Sequence, residues 1–177
     1  MFSRFVLLLC ITVALAGACQ SRSSSPAKKT SVAAGEIGSR LPSFSAEDLD
    51  GTRISSANLR GKVVLIDFWA TWCQPCKQEM PGYQRLAEQY GRRGFAVVGL
   101  KLNTMADTED PRSFARKIGV HYPLVVATDG LIKKFGGIEG LPTTLLYDRR
   151  GILRKKVIGF EYTKTVEDEV KKLLEAR

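Results

Sequence analysis

The chain has 177 residues, enough for one domain and a leader, and its 44% hydrophobic content is sufficient for a buried core. Its formal net charge is +9, from 27 Lys and Arg against 18 Asp and Glu. Because the basic residues are scattered, without interleaved aromatic residues or a nucleic-acid-binding motif, we expect no nucleic-acid partner.

The first 18 residues have the layout of an export signal. Arg4 precedes an apolar run over residues 5–15, and small residues follow up to Cys19. A bilayer-spanning helix needs about 20 apolar residues, so this run is short for a membrane span. The segment from Leu15 to Cys19 resembles a lipoprotein processing box, with Ala16 where leucine is usual. We therefore predict a signal peptide over 1–18 and a lipidated Cys19, with a soluble secreted protein or an uncleaved anchor as alternatives.

Residues 19–35 are polar and lack apolar periodicity, which predicts a flexible tether before a domain over 36–177. The cysteines agree with export. Cys10 would be discarded with the leader and Cys19 lipidated, which leaves Cys73 and Cys76 as the only thiols of the domain. No stray thiol would then mispair in an oxidising compartment.

The sequence pattern in the first half of the domain predicts a hairpin, a helical turn, two strands and a helix. The hairpin runs over 38–54 around Asp50-Gly51, and Ser55 or Ser56 caps the short turn before Gly61. Buried strands are expected over 62–69 and 95–102. Between them lies a helix over 73–89 that contains Pro81 and stops at Gly91.

The second half begins with a helix from Asp110-Pro111 to 118, closed by Gly119. A strand over 124–126 and a helix capped by Thr128 or Asp129 follow, the helix ending near 135. Strands over 143–147 and 152–158 form a hairpin, and a helix starting at Thr163 closes the chain. Strands alternating with helices and ending in a hairpin predict an α/β fold with a mixed sheet covered on both faces.

Cys73 and Cys76 stand where a strand ends and a helix starts. The first sulfur would then lie beside the unpaired amides and the positive end of the helix, which stabilise a thiolate. We infer that Cys73 is the nucleophile and Cys76 the resolving thiol. A zinc site or a passive disulfide is the alternative, but the single histidine, His121, and the lack of a second cysteine pair argue against zinc. Gln74 and Pro75, between the sulfurs, would tune the thiol pKa and the reduction potential.

The segment 64–76, ending in Trp72-Cys73-Gln74-Pro75-Cys76, resembles the active-site segment of thioredoxin-fold proteins. Continued through Pro81, it is similar to the TlpA/ResA-type, membrane-tethered thiol-disulfide oxidoreductases of bacteria. The segment 140–144, Gly-Leu-Pro-Thr-Thr, resembles the cis-proline loop of this family. The resemblance implies a thioredoxin fold with an N-terminal hairpin and a central strand-helix insertion, matched by 124–135.

The resemblance also implies roles for individual residues. Asp67 matches the buried acid of thioredoxin and would accept the proton of the resolving thiol, although many TlpA/ResA-type proteins have asparagine there. Glu79 would be the active-site glutamate that tunes cysteine pKa values, and Trp72 would line the disulfide and offer an apolar docking surface. Pro142 would be cis, and the Leu141 backbone would pair with an extended substrate segment. The alternatives are a structural role for Asp67, an acid that only complements the helix dipole for Glu79, and a core position for Trp72.

Together these features predict an exported thiol-disulfide oxidoreductase on the periplasmic side of a bacterial membrane. The resemblance implies that it reduces protein disulfides, such as the cysteines of apocytochrome c or of a copper site, with electrons from a membrane dithiol donor. We expect no metal and no cofactor beyond the Cys73–Cys76 pair. A peroxiredoxin-like peroxidase is an alternative, although Ile66 and Ala70 replace its usual proline and threonine. A copper-binding chaperone of the same fold is another.

Overall fold

The computed structural model of the chain describes residues 32–107 and 109–176. The predicted signal peptide, Cys10, Cys19 and most of the predicted tether lie outside the described residues. No helix within the described ranges is both long enough and apolar enough to span a bilayer.

An antiparallel hairpin, β1 (Ser45–Glu47) and β2 (Arg53–Ser55), opens the described domain. In its loop the Asp48 carboxylate accepts hydrogen bonds from the amides of Asp50 and Thr52, at 3.0 and 2.8 Å. Gly51 follows with a φ of 82°, a left-handed conformation that glycine adopts without steric cost. The predicted turn at Asp50-Gly51 is therefore confirmed.

The hairpin's first strand begins later than the sequence predicted. The amide of Gly38 donates to the carbonyl of Leu153, and the amide of Leu153 donates to the carbonyl of Ser39. These backbone groups are thus used by the C-terminal half of the chain, which leaves Ser45–Glu47 to pair with β2. After β2, Ser55 caps a short 3₁₀ helix, Ser56–Leu59, through a reciprocal capping box with Asn58.

The main sheet has five strands in the order β5–β4–β3–β6–β7. Their bounds are β3 (Val63–Trp69), β4 (Phe95–Leu102), β5 (Leu124–Ala127), β6 (Thr143–Tyr147) and β7 (Leu153–Ile158). β3, β4 and β5 are parallel, and β6 and β7 are antiparallel to their neighbours. β3 is central and buried at every residue, which explains why its sequence is apolar except for Asp67.

Within residues 32–107 and 109–176, four α-helices cover the sheet: α1 (Gln74–Tyr90), α2 (Pro111–Lys117), α3 (Asp129–Lys134) and α4 (Thr163–Glu175). Asp110 caps α2 through the amide of Ser113, and Thr128 caps α3 through the amide of Leu131. Gly119, at a φ of 69°, ends the α2 region as predicted.

Two apolar cores lie on opposite faces of the sheet. One contains residues of α1, α2 and α4 together with Leu65 and Trp69 of β3. The other contains Phe44, Leu59 and residues of α3, packed on the alternate β3 residues, including Ile66. The predicted architecture, a mixed sheet covered on both faces with an N-terminal hairpin and the β5–α3 insertion, is confirmed.

Candidate active site

Cys73 and Cys76 form a disulfide at the start of α1, with their Cα atoms 5.3 Å apart. Cys73 is the N-cap of the helix, and its sulfur accepts a hydrogen bond of 3.3 Å from the amide of Cys76. Only 2% of Cys73 is exposed, and Cys76 is fully buried. The amide contact and the positive end of α1 both stabilise negative charge on Cys73, which supports the predicted order of nucleophile and resolving thiol.

Trp72 presents an apolar surface beside the disulfide. Its side chain is 48% exposed, and its indole Nε1 donates a 2.8 Å hydrogen bond to the hydroxyl of Thr104. This exposure excludes the alternative that Trp72 is a core tryptophan. Gln74 is exposed and Pro75 half-buried, both in the first turn of α1, where proline has no amide to leave unpaired.

Asp67 is buried on the dithiol side of the sheet. Its side chain is inaccessible to solvent and shares the β3 face of Leu65 and Trp69, whose core cluster also contains Cys76. One carboxylate oxygen accepts a long hydrogen bond, 3.5 Å, from the Tyr122 hydroxyl, and the other has no partner. Burial, and then the charge of Glu79, raise the pKa of Asp67 well above its ordinary value, so this acid is able to hold a proton near neutral pH.

Glu79 is the second buried acid, two turns into α1 and 1% exposed. One of its oxygens accepts a hydrogen bond from the amide of Glu161, in the segment between β7 and α4. Burial raises the pKa of Glu79 to about 7, although the Glu161 amide and the nearby Tyr83 hydroxyl oppose the shift. Asp67 and Glu79 therefore form a coupled pair of acids on the dithiol side of the sheet.

Three polar residues that sequence reasoning did not assign to the site complete this buried cluster. The Tyr83 hydroxyl is 3.1 Å from the hydroxyl of Thr144, and Thr144 is the β6 residue paired with Asp67 across the sheet. Tyr122 reaches Asp67 from the chain before β5. Tyr83 follows Glu79 by one helical turn, a spacing visible in the sequence, whereas the approach of Tyr122 and Thr144 depends on strand order.

The Leu141–Pro142 peptide bond is cis, as the sequence predicted. Pro142 is buried and Leu141 half-buried, and the Leu141 side chain packs against the core cluster that contains both cysteines. The Pro142 carbonyl accepts a 2.8 Å hydrogen bond from the amide of Gly159. This bond ties the loop to the segment between β7 and α4.

That segment carries an exposed aromatic pair that sequence reasoning missed. Phe160 and Tyr162 contact each other edge-to-face, with their ring centroids 5.2 Å apart, and both are exposed. Between them, Glu161 donates its amide to Glu79. The aromatic pair is thus linked through backbone groups both to the cis-proline loop and to the buried acid.

Nothing in the described ranges brings three His, Cys, Asp or Glu side chains together as a metal site. A groove of about 600 Å³ lies between β1 and β5 and contains none of the predicted site residues.

Comparison with known proteins shows the family to which the chain belongs. The AhpC/TSA family matches residues 37–156. The thiol-disulfide oxidoreductase ResA of Geobacillus thermodenitrificans is 35% identical over 149 residues, covering 84% of this chain and 80% of the relative. ResA of Bacillus thuringiensis is 32% identical over 140 residues, with 78% and 79% covered. The chain belongs to the ResA-type thiol-disulfide oxidoreductases of the AhpC/TSA family.

A solved structure agrees with this assignment. A thiol:disulfide interchange protein of the thioredoxin family from Chlorobium tepidum is 33% identical and has a TM-score of 0.71, covering 80% of this chain and 99% of that one. The predicted thioredoxin fold and the enzyme class are therefore confirmed. This thiol-disulfide oxidoreductase carries the Cys73–Cys76 disulfide next to the exposed Trp72.

Proposed function

We propose that this oxidoreductase works outside the cytoplasm as a membrane-tethered reductant of protein disulfides. The observation that carries the proposal is the helix-capping sulfur of Cys73, next in the chain to an exposed Trp72 and on the side of the sheet that also holds the buried Asp67. The predicted signal peptide over 1–18 and a lipidated Cys19 would hold the domain near a membrane surface.

The reaction begins with attack of the Cys73 thiolate on one sulfur of a substrate disulfide. A mixed disulfide forms, and the other substrate sulfur leaves as a thiolate. Cys76 then loses its proton and attacks the Cys73 sulfur, which releases the second substrate thiolate. The substrate gains two electrons, and the enzyme is left with the Cys73–Cys76 disulfide, which a membrane dithiol donor would reduce again.

The buried acids are proposed to handle the proton of Cys76. Asp67 has one carboxylate oxygen without a hydrogen-bond partner and a raised pKa, so it is suited to accept a proton in the dry interior. Glu79, whose pKa is about 7, would set how readily Asp67 ionises, because the two charges repel each other.

The substrates are proposed to be extended protein segments, such as the cysteine pairs of apocytochrome c or of a copper site. Trp72 offers apolar contact area, and the Leu141 backbone lies beside the cis-proline for strand-like pairing with a substrate. The two ResA relatives are named as thiol-disulfide oxidoreductases, which supports this substrate class.

The reduction potential tests the direction of the reaction. Equilibration with dithiothreitol or glutathione should give a value nearer the roughly −270 mV of thioredoxin than the roughly −120 mV of a strong periplasmic oxidant. A value close to the latter would contradict the reductant assignment but not the dithiol chemistry. Insulin reduction, peroxide consumption and copper titration of the reduced protein would separate the reductase from the peroxidase and the copper chaperone.

Metabolic labelling tests the tether. If Cys19 is acylated, radioactive palmitate should label the protein, and Cys19→Ala should abolish the label. Cys10→Ala is the matched control, since that cysteine would be removed with the leader. Labelling that survives Cys19→Ala would contradict the lipid anchor.

A further inference from the structure

A hydrogen-bond network outside the dithiol includes the two residues that precede Cys73. It consists of Thr71, Trp72, Lys101, Thr104 and Asp107, and is called here the Asp107 network. Sequence reasoning assigned a role only to Trp72. The other members come from the turn before Cys73, from the end of β4 and from the loop that follows β4.

Asp107 is the centre of the network. Its Oδ1 accepts hydrogen bonds from the amide and the hydroxyl of Thr71, at 3.3 and 2.6 Å. Its Oδ2 accepts from the amide and the hydroxyl of Thr104, at 2.9 and 3.2 Å. One carboxylate thus joins the turn before the dithiol to the loop after β4.

Lys101 fixes the carboxylate in place. Its ammonium group lies 2.7 Å from Asp107 Oδ2, and the lysine is only 3% exposed. A buried lysine requires such a partner, because an unpaired ammonium in the interior is strongly disfavoured. Although burial acts to raise the pKa of Asp107, the hydrogen bonds from Lys101 and its other partners hold that pKa well below its usual range. The Asp107 carboxylate is therefore ionised at any pH at which the enzyme would work.

Trp72 is linked to the Lys101–Asp107 ion pair by hydrogen bonds through Thr104. The Thr104 hydroxyl donates to Asp107 and accepts from the indole Nε1 of Trp72 at 2.8 Å. The indole is held at its polar edge while half of its surface faces solvent. Met105, the next residue along the loop, is fully exposed, so an apolar side chain adjoins the residue that fixes Trp72.

We propose that Lys101 and Asp107 are positioning residues that hold Trp72 for recognition of polypeptide disulfides. Polypeptide substrates contact the fixed indole and the loop as well as the reacting sulfur, whereas a small disulfide needs only access to Cys73. A fixed aromatic ring loses little freedom on binding, which favours the substrate with the larger contact area. This inference rests on the proposed function, because it assigns the selection between substrates at the same dithiol.

The test compares reduced wild type, Thr104→Val and Asp107→Asn in single-turnover reactions with insulin and with oxidised glutathione. Thr104→Val removes the hydroxyl that links Trp72 to the ion pair, and it leaves Lys101 and Asp107 in place. We expect insulin reduction to slow about tenfold in both variants, the effect of one lost hydrogen bond of ordinary strength. The rate with oxidised glutathione should stay within about twofold, because it needs no fixed indole.

Acrylamide quenching of tryptophan fluorescence provides an independent signature. The other tryptophan, Trp69, is fully buried, so quenching reports on Trp72 and should increase when its hydrogen bond is lost. Thr104→Ser keeps a hydroxyl at this position, so its quenching and its rate of insulin reduction should both equal those of wild type. Glu109→Gln is the matched control, because it removes a carboxylate of the same loop whose ion-pair partner is the exposed Lys117.

Equal losses with insulin and oxidised glutathione, or no loss with either, would overturn the inference. Asp107→Asn leaves the buried Lys101 without its charged partner, which is itself destabilising, so this variant is interpreted only if its unfolding transition shows that it is folded. If it is not folded, the result with Thr104→Val tests the inference. Wild-type protein that reduces neither substrate would contradict the proposed function instead.

Discussion

Replacing Glu79 by glutamine should remove the part of the loss of stability that ionisation of Glu79 causes in the oxidised protein as the pH rises from 4.5 to 8. Glu79 is 1% exposed, and one of its oxygens is buried without a hydrogen-bond partner. Its carboxylate is therefore more costly in the folded chain than in the unfolded chain. Glutamine keeps the shape and an oxygen that accepts from the Glu161 amide, but it never ionises.

The magnitude follows from the pKa of Glu79, which rises from an ordinary 4.5 to about 7 on folding. Each tenfold change in proton affinity corresponds to about 1.4 kcal/mol, so the full shift corresponds to about 3 kcal/mol, or about 2 kcal/mol after solvent screening. Between these two pH values the folded state binds more protons than the unfolded state, so the free energy of unfolding falls as the pH rises. Below 4.5 both states are protonated and this contribution is absent.

Guanidinium unfolding of oxidised wild type and Glu79→Gln at intervals from pH 4.5 to 8 measures the effect. The difference in the free energy of unfolding between Glu79→Gln and wild type should grow as the pH rises. From pH 4.5 to pH 8 it should change by about 2 kcal/mol in favour of the variant. Asp67→Asn and the double variant complete a cycle that isolates the coupling between the two acids. Parallel stability curves at every pH would refute the reasoning, since Glu79 would then titrate as an exposed acid.

Three further predictions concern the dithiol and the packing of α1. In the reduced protein iodoacetamide should alkylate Cys73 well before Cys76, because only Cys73 occupies the helix start. Asp67→Asn should slow resolution of the mixed disulfide around neutral pH, measured by quenched-flow trapping, because the proton acceptor is lost. Gly82→Ala should destabilise the protein by about 1–3 kcal/mol in guanidinium unfolding. Its new Cβ would lie 2.1 Å from the Thr163 hydroxyl oxygen.

Each of these has an opposite outcome. Equal alkylation of both cysteines would contradict their assigned roles. An unchanged resolution rate with lowered stability would favour a structural role for Asp67. Gly91→Ala, at a glycine with open space around its Cβ position, is the control for Gly82 and should cost less than 1 kcal/mol. Equal effects at the two glycines would show that the contact with α4 does not limit the packing.

The sequence by itself determined the elements and the reactive pair. Apart from the first strand of the hairpin, apolar runs, capping residues and glycines marked the strands and helices to within a few residues, because those signals act locally along the chain. The strand-to-helix position of Cys73 and Cys76 indicated their order, since it depends on the start of a single helix. The resemblance to thioredoxin implied that Asp67 is buried, and its side chain is inaccessible to solvent in the structure.

Tertiary structure decided which distant groups complete the site. Tyr122 reaches Asp67, and Thr144 stands opposite it, only because the chain before β5 and the β6 strand pack around β3. The pairing of Lys101 with Asp107 likewise depends on how the loop after β4 folds back. The first strand of the N-terminal hairpin begins later than predicted for the same reason, because residues 38–41 form backbone hydrogen bonds with the β6–β7 hairpin. Local patterns carry no information about such pairings, since a buried polar group takes whichever partner the fold places within reach.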